Sequence, residues 1–156
     1  MRKTNRSRRR FLTVAAAAAG AVVAGSRVAR AQVAVQPIGP LIAKVTGGAP
    51  VREGRVNLEM PRLADNGHAV PMKITVSSAM NERDFVKSIH IVAERNPRPL
   101  VAAFHLNPHG GRAEVSTRIR LAASQRVLVI AGLSDGSYWS GSAEVEVTET
   151  ACLDAT

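Results

Sequence analysis

The chain has 156 residues, and its formal net charge of +9 comes from 21 Lys+Arg against 12 Asp+Glu. Residues 1–31 hold eight of the basic residues and no acidic one, so residues 32–156 carry 13 basic against 12 acidic residues, a net charge of +1. A nucleic-acid-binding domain keeps its basic excess in the folded part and uses aromatic side chains to stack bases, and aromatic residues make up only 3% here. Composition therefore excludes nucleic acid as a partner.

Residues 1–31 have the pattern of a twin-arginine export signal. Arg8 and Arg9 precede an apolar pair, and an Ala/Val-rich run follows at 14–24. That run is too short for a bilayer, which needs roughly 20 residues, and residues 29–31 form a small-x-small cleavage site. The signal predicts a periplasmic protein that is exported folded and has no stable membrane anchor; the alternative is an uncleaved anchor helix.

Residues 32–50 form a linker with a short N-terminal segment. A helical turn is expected at 41–45, and it must end before Gly47 and Gly48 because glycine pairs stop helices.

Residues 51–149 alternate between apolar and polar side chains, which is typical of half-buried strands. The alternating segments are 55–60, 70–77, 100–106, 114–121 and 142–147. Two more segments, 85–92 and 127–131, are apolar on both sides, which predicts central strands or strands with one face covered by another chain. Tyr138 and Trp139 are interpreted as a short strand that contributes to the core.

Turn residues separate these segments, at 65–67, 96–99, 107–111 and 134–137. About seven or eight antiparallel strands at this spacing predict an all-β, immunoglobulin-like β-sandwich. No helical pattern of ten residues lies between the strands, so a parallel α/β fold is excluded.

No phosphate loop, Rossmann glycine pattern, zinc pair or nucleophile elbow is present, so no cofactor and no metal are predicted. The four histidines are scattered. His90 and His105 lie in apolar strands and are interpreted as packed side chains, and His109 lies in a glycine-flanked loop.

Cys152 is the only cysteine, and it lies in the C-terminal segment 150–156. An unpaired cysteine in an oxidising compartment is either buried and inert or functional. Chain ends are the least packed part of a domain, and a thiolate can accept and release sulfur groups by exchange. These properties favour a covalent carrier over an enzyme, since no base, metal set or second cysteine accompanies the thiol. The alternatives are a binding or structural subunit in which Cys152 is packed and, third, an enzyme in its own right.

The chain resembles the SoxY family of sulfur-carrier subunits from the bacterial Sox thiosulfate-oxidation system. The motifs that support the resemblance are 46–50, 54–58, 61–67, 70–71, 89–91, 96–99, 104–106, 116–122 and 134–137. The family's C-terminal motif is Gly-Gly-Cys-Gly-Gly, and the present chain departs from it because Ala151 and Leu153 flank Cys152.

The resemblance implies an immunoglobulin-like sandwich that forms a heterodimer with a small SoxZ-like β subunit. It also implies that Cys152, on a mobile arm, is the covalent attachment site. In the family, a c-type cytochrome enzyme joins thiosulfate to that cysteine and a hydrolase releases sulfate. A molybdenum–haem sulfur dehydrogenase oxidises the remaining sulfur. The carrier catalyses none of these steps.

Overall fold

The computed structural model describes residues 34–149. Within that range the chain forms one α-helix, one 3₁₀ turn and nine strands. In chain order they are α1 (Gly39–Thr46), β1 (Val51–Glu53), β2 (Val56–Glu59), β3 (Leu63–Asn66), β4 (Val70–Val76), β5 (Val86–Ala93), β6 (Leu100–His105), the 3₁₀ turn Pro108–Gly110, β7 (Glu114–Ile119), β8 (Gln125–Leu133) and β9 (Tyr138–Glu149).

The strands form two sheets. The larger has six strands in the order β1-β9-β8-β5-β6, with β3 also paired to β9. The smaller has the order β2-β4-β7, and its pairs are antiparallel. The predicted all-β, immunoglobulin-like sandwich is therefore confirmed.

The core between the sheets consists mainly of aliphatic side chains that point inward at every second position. In β4 the buried positions are Val70, Met72, Ile74 and Val76, and β8 contributes its own alternating set. Because successive side chains of a strand point to opposite faces, each strand supplies one row to this core.

The two segments that are apolar on both sides are central strands, as predicted. Strand β8 lies between β9 and β5, and β5 lies between β8 and β6. Val92 and Ile130 point away from the smaller sheet and are nevertheless fully buried.

The N-terminal segment runs from one end of the larger sheet to the other. The Gln36 N–H donates to the Glu94 carbonyl at 2.7 Å, just beyond the end of β5. Val51 pairs with Tyr138 at the opposite end of the sheet, so residues 36–51 pass from one end to the other.

Helix α1 includes the predicted turn and is longer than it. Pro40 lies in the first turn, where its missing N–H costs no hydrogen bond. Gly47 ends the helix in the left-handed region (φ 63°), and the Gly48 N–H donates to the Ala43 carbonyl at 2.9 Å.

The structure differs from the predicted strands at three places. Strands β1 and β3 were not predicted, and both pair parallel to β9, so the sandwich is not wholly antiparallel. They have three and four residues, which is too short for alternation to show. The interpretation of Tyr138 and Trp139 as a separate short strand was also wrong, because they begin the 12-residue β9. Small residues after Trp139 interrupt the alternating pattern there.

Candidate functional site

The site of interest is the end of the sandwich where β9 finishes. Glu149 pairs with Asn66 of β3, and its carbonyl accepts a hydrogen bond from the Gly67 N–H at 2.9 Å. The Thr148 hydroxyl donates to the Asp65 carbonyl at 2.6 Å. The last described residues of the chain are thus held in place by the end of β3 and by Gly67, which follows it.

The Asp65-Asn66-Gly67 segment was predicted as a turn, and its role in holding β9 was missed. Asp65 and Asn66 are the last residues of β3, and Gly67 is buried. The Gly67 carbonyl also accepts from the Leu121 N–H at 2.8 Å, which links this segment to the loop before β8. No local pattern signals this contact, because residues 67 and 149 meet only through the fold.

A second group of polar contacts strengthens the same end. The Asn96 amide oxygen accepts from the Ala122 N–H at 2.9 Å and from the Gln125 amide at 3.0 Å. The Gln125 amide oxygen in turn accepts from the Arg95 N–H at 2.7 Å. Ser124 contacts Val147 of β9 through a 2.8 Å bond from the Val147 N–H. These bonds fix two loops, the one between β5 and β6 and the one between β7 and β8, beside the end of β9.

The three residues named from sequence as site and signal residues, Cys152, Arg8 and Arg9, lie outside the described residues 34–149. The structure does define where the segment that contains Cys152 begins. Cys152 follows Glu149 by three positions, and three residues span at most about 11 Å when extended. The segment that contains Cys152 is therefore connected to this end of the sandwich.

The opposite end of β9 carries a Trp-centred cluster. The guanidinium groups of Arg52 and Arg55 lie 5.7 and 5.1 Å from the Trp139 ring centroid. Trp139 Nε1 donates to the Ser137 hydroxyl at 3.1 Å, and hydrogen bonds from Ser137 lower the pKa of the Asp135 carboxyl. The strand rise puts Trp139 about 33 Å from Glu149, so this cluster is beyond the reach of Cys152.

The fold brings two of the four histidines together. His90 and His105 are on adjacent strands, their ring centroids are 6.3 Å apart, and the rings are nearly perpendicular. Burial lowers the pKa of His90, and His105 lowers it further. His90 Nδ1 is buried without a hydrogen-bond partner, whereas His105 is exposed. His90 is thus partly packed, as predicted, and His105 is not.

No three or more His, Cys, Asp or Glu side chains within residues 34–149 are grouped so that they could hold a metal ion. Among the helices in that range, none is both long and apolar enough to cross a membrane.

The fold and this end of it define a class: an immunoglobulin-like β-sandwich whose last described strand ends three positions before the only cysteine of the sequence. A family model described as sulfur oxidation protein SoxY matches residues 42–152, which is most of the chain. The chain belongs to the SoxY family.

One solved structure of a SoxY protein agrees with this assignment, and others share the fold. The sulfur carrier protein SoxY from Chlorobium limicola f thiosulfatophilum is similar with a TM-score of 0.59 and 28% identity, over 69% of this chain and 89% of that one. A superoxide reductase (neelaredoxin) from Ignicoccus hospitalis is similar with a TM-score of 0.54 and 14% identity, over 60% of this chain and 80% of that one. The superoxide reductase from Nanoarchaeum equitans has a TM-score of 0.52 and 11% identity, over 62% of this chain and 100% of that one. At these identities the superoxide reductases show only a shared fold. No curated protein matches the chain.

Proposed function

We propose that this protein is a periplasmic carrier that holds thiosulfate-derived sulfur covalently on Cys152 and presents it to separate Sox enzymes. One observation carries the proposal: the SoxY family match extends to residue 152 and so includes the only cysteine of the chain. The Chlorobium relative is itself a sulfur carrier protein.

Loading the carrier is an oxidation. The Cys152 thiol and thiosulfate form a new S–S bond, giving a Cys–S–S–SO₃⁻ adduct and releasing one proton and two electrons. The electrons go to a c-type cytochrome enzyme, which belongs to a different polypeptide. Thiolate attack and exchange are the ordinary chemistry of cysteine, and here the partner enzyme activates the thiol.

Unloading the carrier returns Cys152 to its thiol form in two stages. Hydrolysis of the adduct with one water molecule gives sulfate and a persulfide on Cys152. A molybdenum–haem sulfur dehydrogenase then oxidises the outer persulfide sulfur with three water molecules to a Cys–S–SO₃⁻ group and takes up the six electrons released, and a second hydrolysis gives sulfate and the free thiol. In this scheme the protein binds and presents its cargo, and other enzymes catalyse each step.

The anchoring of Glu149 suits this role. A carrier needs a free segment that enters an active site and a rigid body that stays outside it. The hydrogen bonds of Gly67 to Glu149 and of Thr148 to Asp65 fix the last described residues of β9, three positions before Cys152. The reach of the thiol is then limited to about 11 Å from Glu149, which requires the enzyme to bind close to this end of the sandwich.

The proposed partners are a SoxZ-like subunit, in a heterodimer, and the Sox cytochrome, hydrolase and sulfur dehydrogenase enzymes. The proposed location is the periplasm, reached in the folded state through the twin-arginine signal that contains Arg8 and Arg9. A folded export route allows a signal-less partner to be carried across the membrane together with this chain.

Intact-mass spectrometry of the exported protein from thiosulfate-grown cells tests the proposal. We expect persulfide and thiosulfonate adducts on the wild-type protein and none on the Cys152→Ser variant, which retains the sandwich. Adducts that persist in Cys152→Ser, or a wild-type mass that never departs from that of the free thiol, would contradict it.

Alkylation of the native protein distinguishes the carrier from the alternative, a SoxY-like binding subunit with a packed thiol. Ala151 and Leu153 in place of the family's glycines favour that alternative. Rapid modification of Cys152 under native conditions supports the carrier, and modification only after denaturation supports the packed subunit.

A further inference from the structure

Asn66 and Gly67 form a pair that is chemically labile in proteins. Asparagine is thermolabile because its side-chain amide is lost when the backbone nitrogen of the next residue attacks it. A following glycine favours this attack, since it has no side chain and leaves the backbone free to turn. Of the asparagines in the chain, only Asn66 precedes glycine, whereas Asn96 and Asn107 precede proline, whose nitrogen carries no hydrogen.

The reaction needs no partner other than water. The Gly67 nitrogen attacks the side-chain carbonyl carbon of Asn66, the bond from that carbon to the amide nitrogen breaks, and ammonia leaves with the proton of Gly67. Water then opens the resulting succinimide ring at either of its carbonyls, which gives aspartate or isoaspartate at position 66. No electron is transferred, and the chain exchanges one NH for one oxygen atom.

The folded protein holds both reacting groups apart. Asn66 is exposed to water at the end of β3, where it pairs with Glu149. The buried Gly67 donates its N–H to the Glu149 carbonyl at 2.9 Å, and the Asn66 side-chain oxygen accepts from the His68 N–H at 3.2 Å. The extended backbone of a strand also differs from the turned conformation that ring closure requires.

We propose that Asn66 is a deamidation site whose reactivity is set by the end of β9. While Glu149 is bound to Gly67, the Asn66 amide is protected. When the end of β9 detaches, the Gly67 nitrogen is released and ring closure proceeds. The inference is independent of the carrier proposal, because it involves only residues 65–68 and 147–149.

The end of β9 has fewer contacts than the rest of the strand. Its pairing with β8 reaches only Val145, and beyond that position the strand is paired with β3. Thr148 and Glu149 are both exposed, and the Thr148 hydroxyl donates to the Asp65 carbonyl. Surface segments with few buried contacts open locally far more often than the whole domain unfolds. Local opening of this end therefore controls the rate of deamidation.

The modification makes the detachment permanent. Isoaspartate places an extra carbon atom in the backbone before Gly67, which moves the Gly67 N–H out of register with the Glu149 carbonyl. Both products also add a negative charge next to Asp65 and opposite Glu149, where like charges repel. The end of β9 therefore pairs less well with β3 after the reaction than before it.

Peptide mapping of the native wild-type protein tests the inference. Cleavage after Arg62 and Lys73 releases residues 63–73, a peptide in which Asn66 is the only asparagine. The measurement is the exchange of NH for oxygen in this peptide during incubation at mildly alkaline pH. The native protein should react at least about tenfold more slowly than the synthetic peptide 63–73, because only the opened fraction reacts.

Thr148→Val tests the role of β9, because it removes the hydrogen bond to Asp65 and leaves residues 63–73 unchanged. Deamidation of the native variant should be about fivefold faster than that of the wild type, the factor that corresponds to one typical hydrogen bond. Thr75→Val is the matched control: it makes the same change in β4, opposite Asn57 and Glu114, and should react like the wild type. Circular dichroism of each variant verifies that it is folded.

Hydrogen exchange tests the effect of the modification on β9. The backbone amides of residues 147–149 should exchange faster in the deamidated protein than before incubation. Asn66→Gln, whose longer side chain forms the ring far less readily, should show no such change after the same incubation. Cys152→Ser should leave all of these results unaltered, which separates this inference from the carrier proposal.

A native wild-type protein that deamidates at Asn66 as fast as the synthetic peptide would overturn the inference, and this comparison is sufficient even if Thr148→Val does not fold. Equal rates in folded Thr148→Val and Thr75→Val would also overturn it. Unchanged exchange at residues 147–149 after deamidation would contradict the effect on β9.

Discussion

Burial of His90 in the folded protein disfavours the protonated form of its side chain. Its Nδ1 atom is buried without a hydrogen-bond partner, and its ring lies 6.3 Å from the ring of His105. A buried polar atom without a partner is destabilising, and a proton on His90 would add a charge to the same place. The fold therefore favours the neutral imidazole.

We expect the stability of the protein to fall as the solution becomes acidic, in part because of His90. Its pKa in the folded state is below the ordinary value of 6.5, so as the pH drops below that value the unfolded chain binds a proton that the folded chain does not. This destabilising contribution of His90 is absent at neutral pH and above. Urea unfolding measured between about pH 7 and about pH 5 should show this loss in the wild-type protein.

His90→Phe should reduce the acid-dependent loss and leave the stability at neutral pH equal or up to about 1 kcal/mol higher, because it removes the unpartnered nitrogen. His109→Phe is the control, since His109 is exposed in a loop, and it should retain the acid-dependent loss. An unchanged pH profile in His90→Phe would contradict this explanation.

Strand β9 organises the larger sheet at the level of elements. It pairs antiparallel with β8 along one side and parallel with β1 and β3 on the other. Between β1 and β3, strand β2 crosses close to Gly141: a Cβ atom at this position would lie 2.5 Å from the Val56 carbonyl oxygen. The backbone of β2 approaches this closely only because residue 141 has no side chain.

Gly141→Ala should therefore destabilise the protein by about 1–3 kcal/mol, since a backbone atom, unlike a flexible side chain, has little room to move. The urea midpoint measures this change. Gly39→Ala, where nothing lies within 4 Å of the new Cβ, is the control and should stay within about 0.5 kcal/mol of the wild type. Equal midpoints for the two variants would show that β2 adjusts freely.

At the level of the whole molecule, the sandwich is a rigid support for a short C-terminal segment. The last described residue is Glu149, and Cys152 follows it by three positions. The backbone freedom of those positions then limits how readily Cys152 enters an enzyme. Glycine adopts backbone conformations that alanine and leucine rarely reach, and it adds no side chain to the segment.

Replacing Ala151 and Leu153 with glycine should accelerate the loading of Cys152 by the Sox cytochrome enzyme. The measurement is adduct formation over time, and the increase is expected because glycine leaves the segment thinner and able to adopt backbone conformations that alanine and leucine rarely reach. Ala155→Gly, beyond the cysteine, is the control and should leave the rate unchanged. If the doubly substituted chain loads no faster, backbone stiffness does not limit this carrier.

Sequence periodicity predicted the long strands because burial of one face leaves a two-residue pattern in any strand that is long enough. Strands β4, β6 and β7 each carry that pattern, and their bounds differ from the predicted ones by only one or two residues. Strands β5 and β8 were predicted as central strands because both of their faces are apolar. For these strands, the local pattern of apolar and polar residues is sufficient for the prediction.

The sequence by itself determined the long strands of the sandwich, the nearly balanced charge of residues 32–156 and the position of the single cysteine, because each is a property of residue order or composition. Only the tertiary structure decided that β1 and β3 flank β9, that Gly67 holds Glu149 and that His90 meets His105. These contacts join residues that are far apart in the chain, and their energies depend on geometry that no local pattern encodes. The same holds for Asn66, whose glycine neighbour is visible in the sequence but whose pairing with β9 is set by the fold.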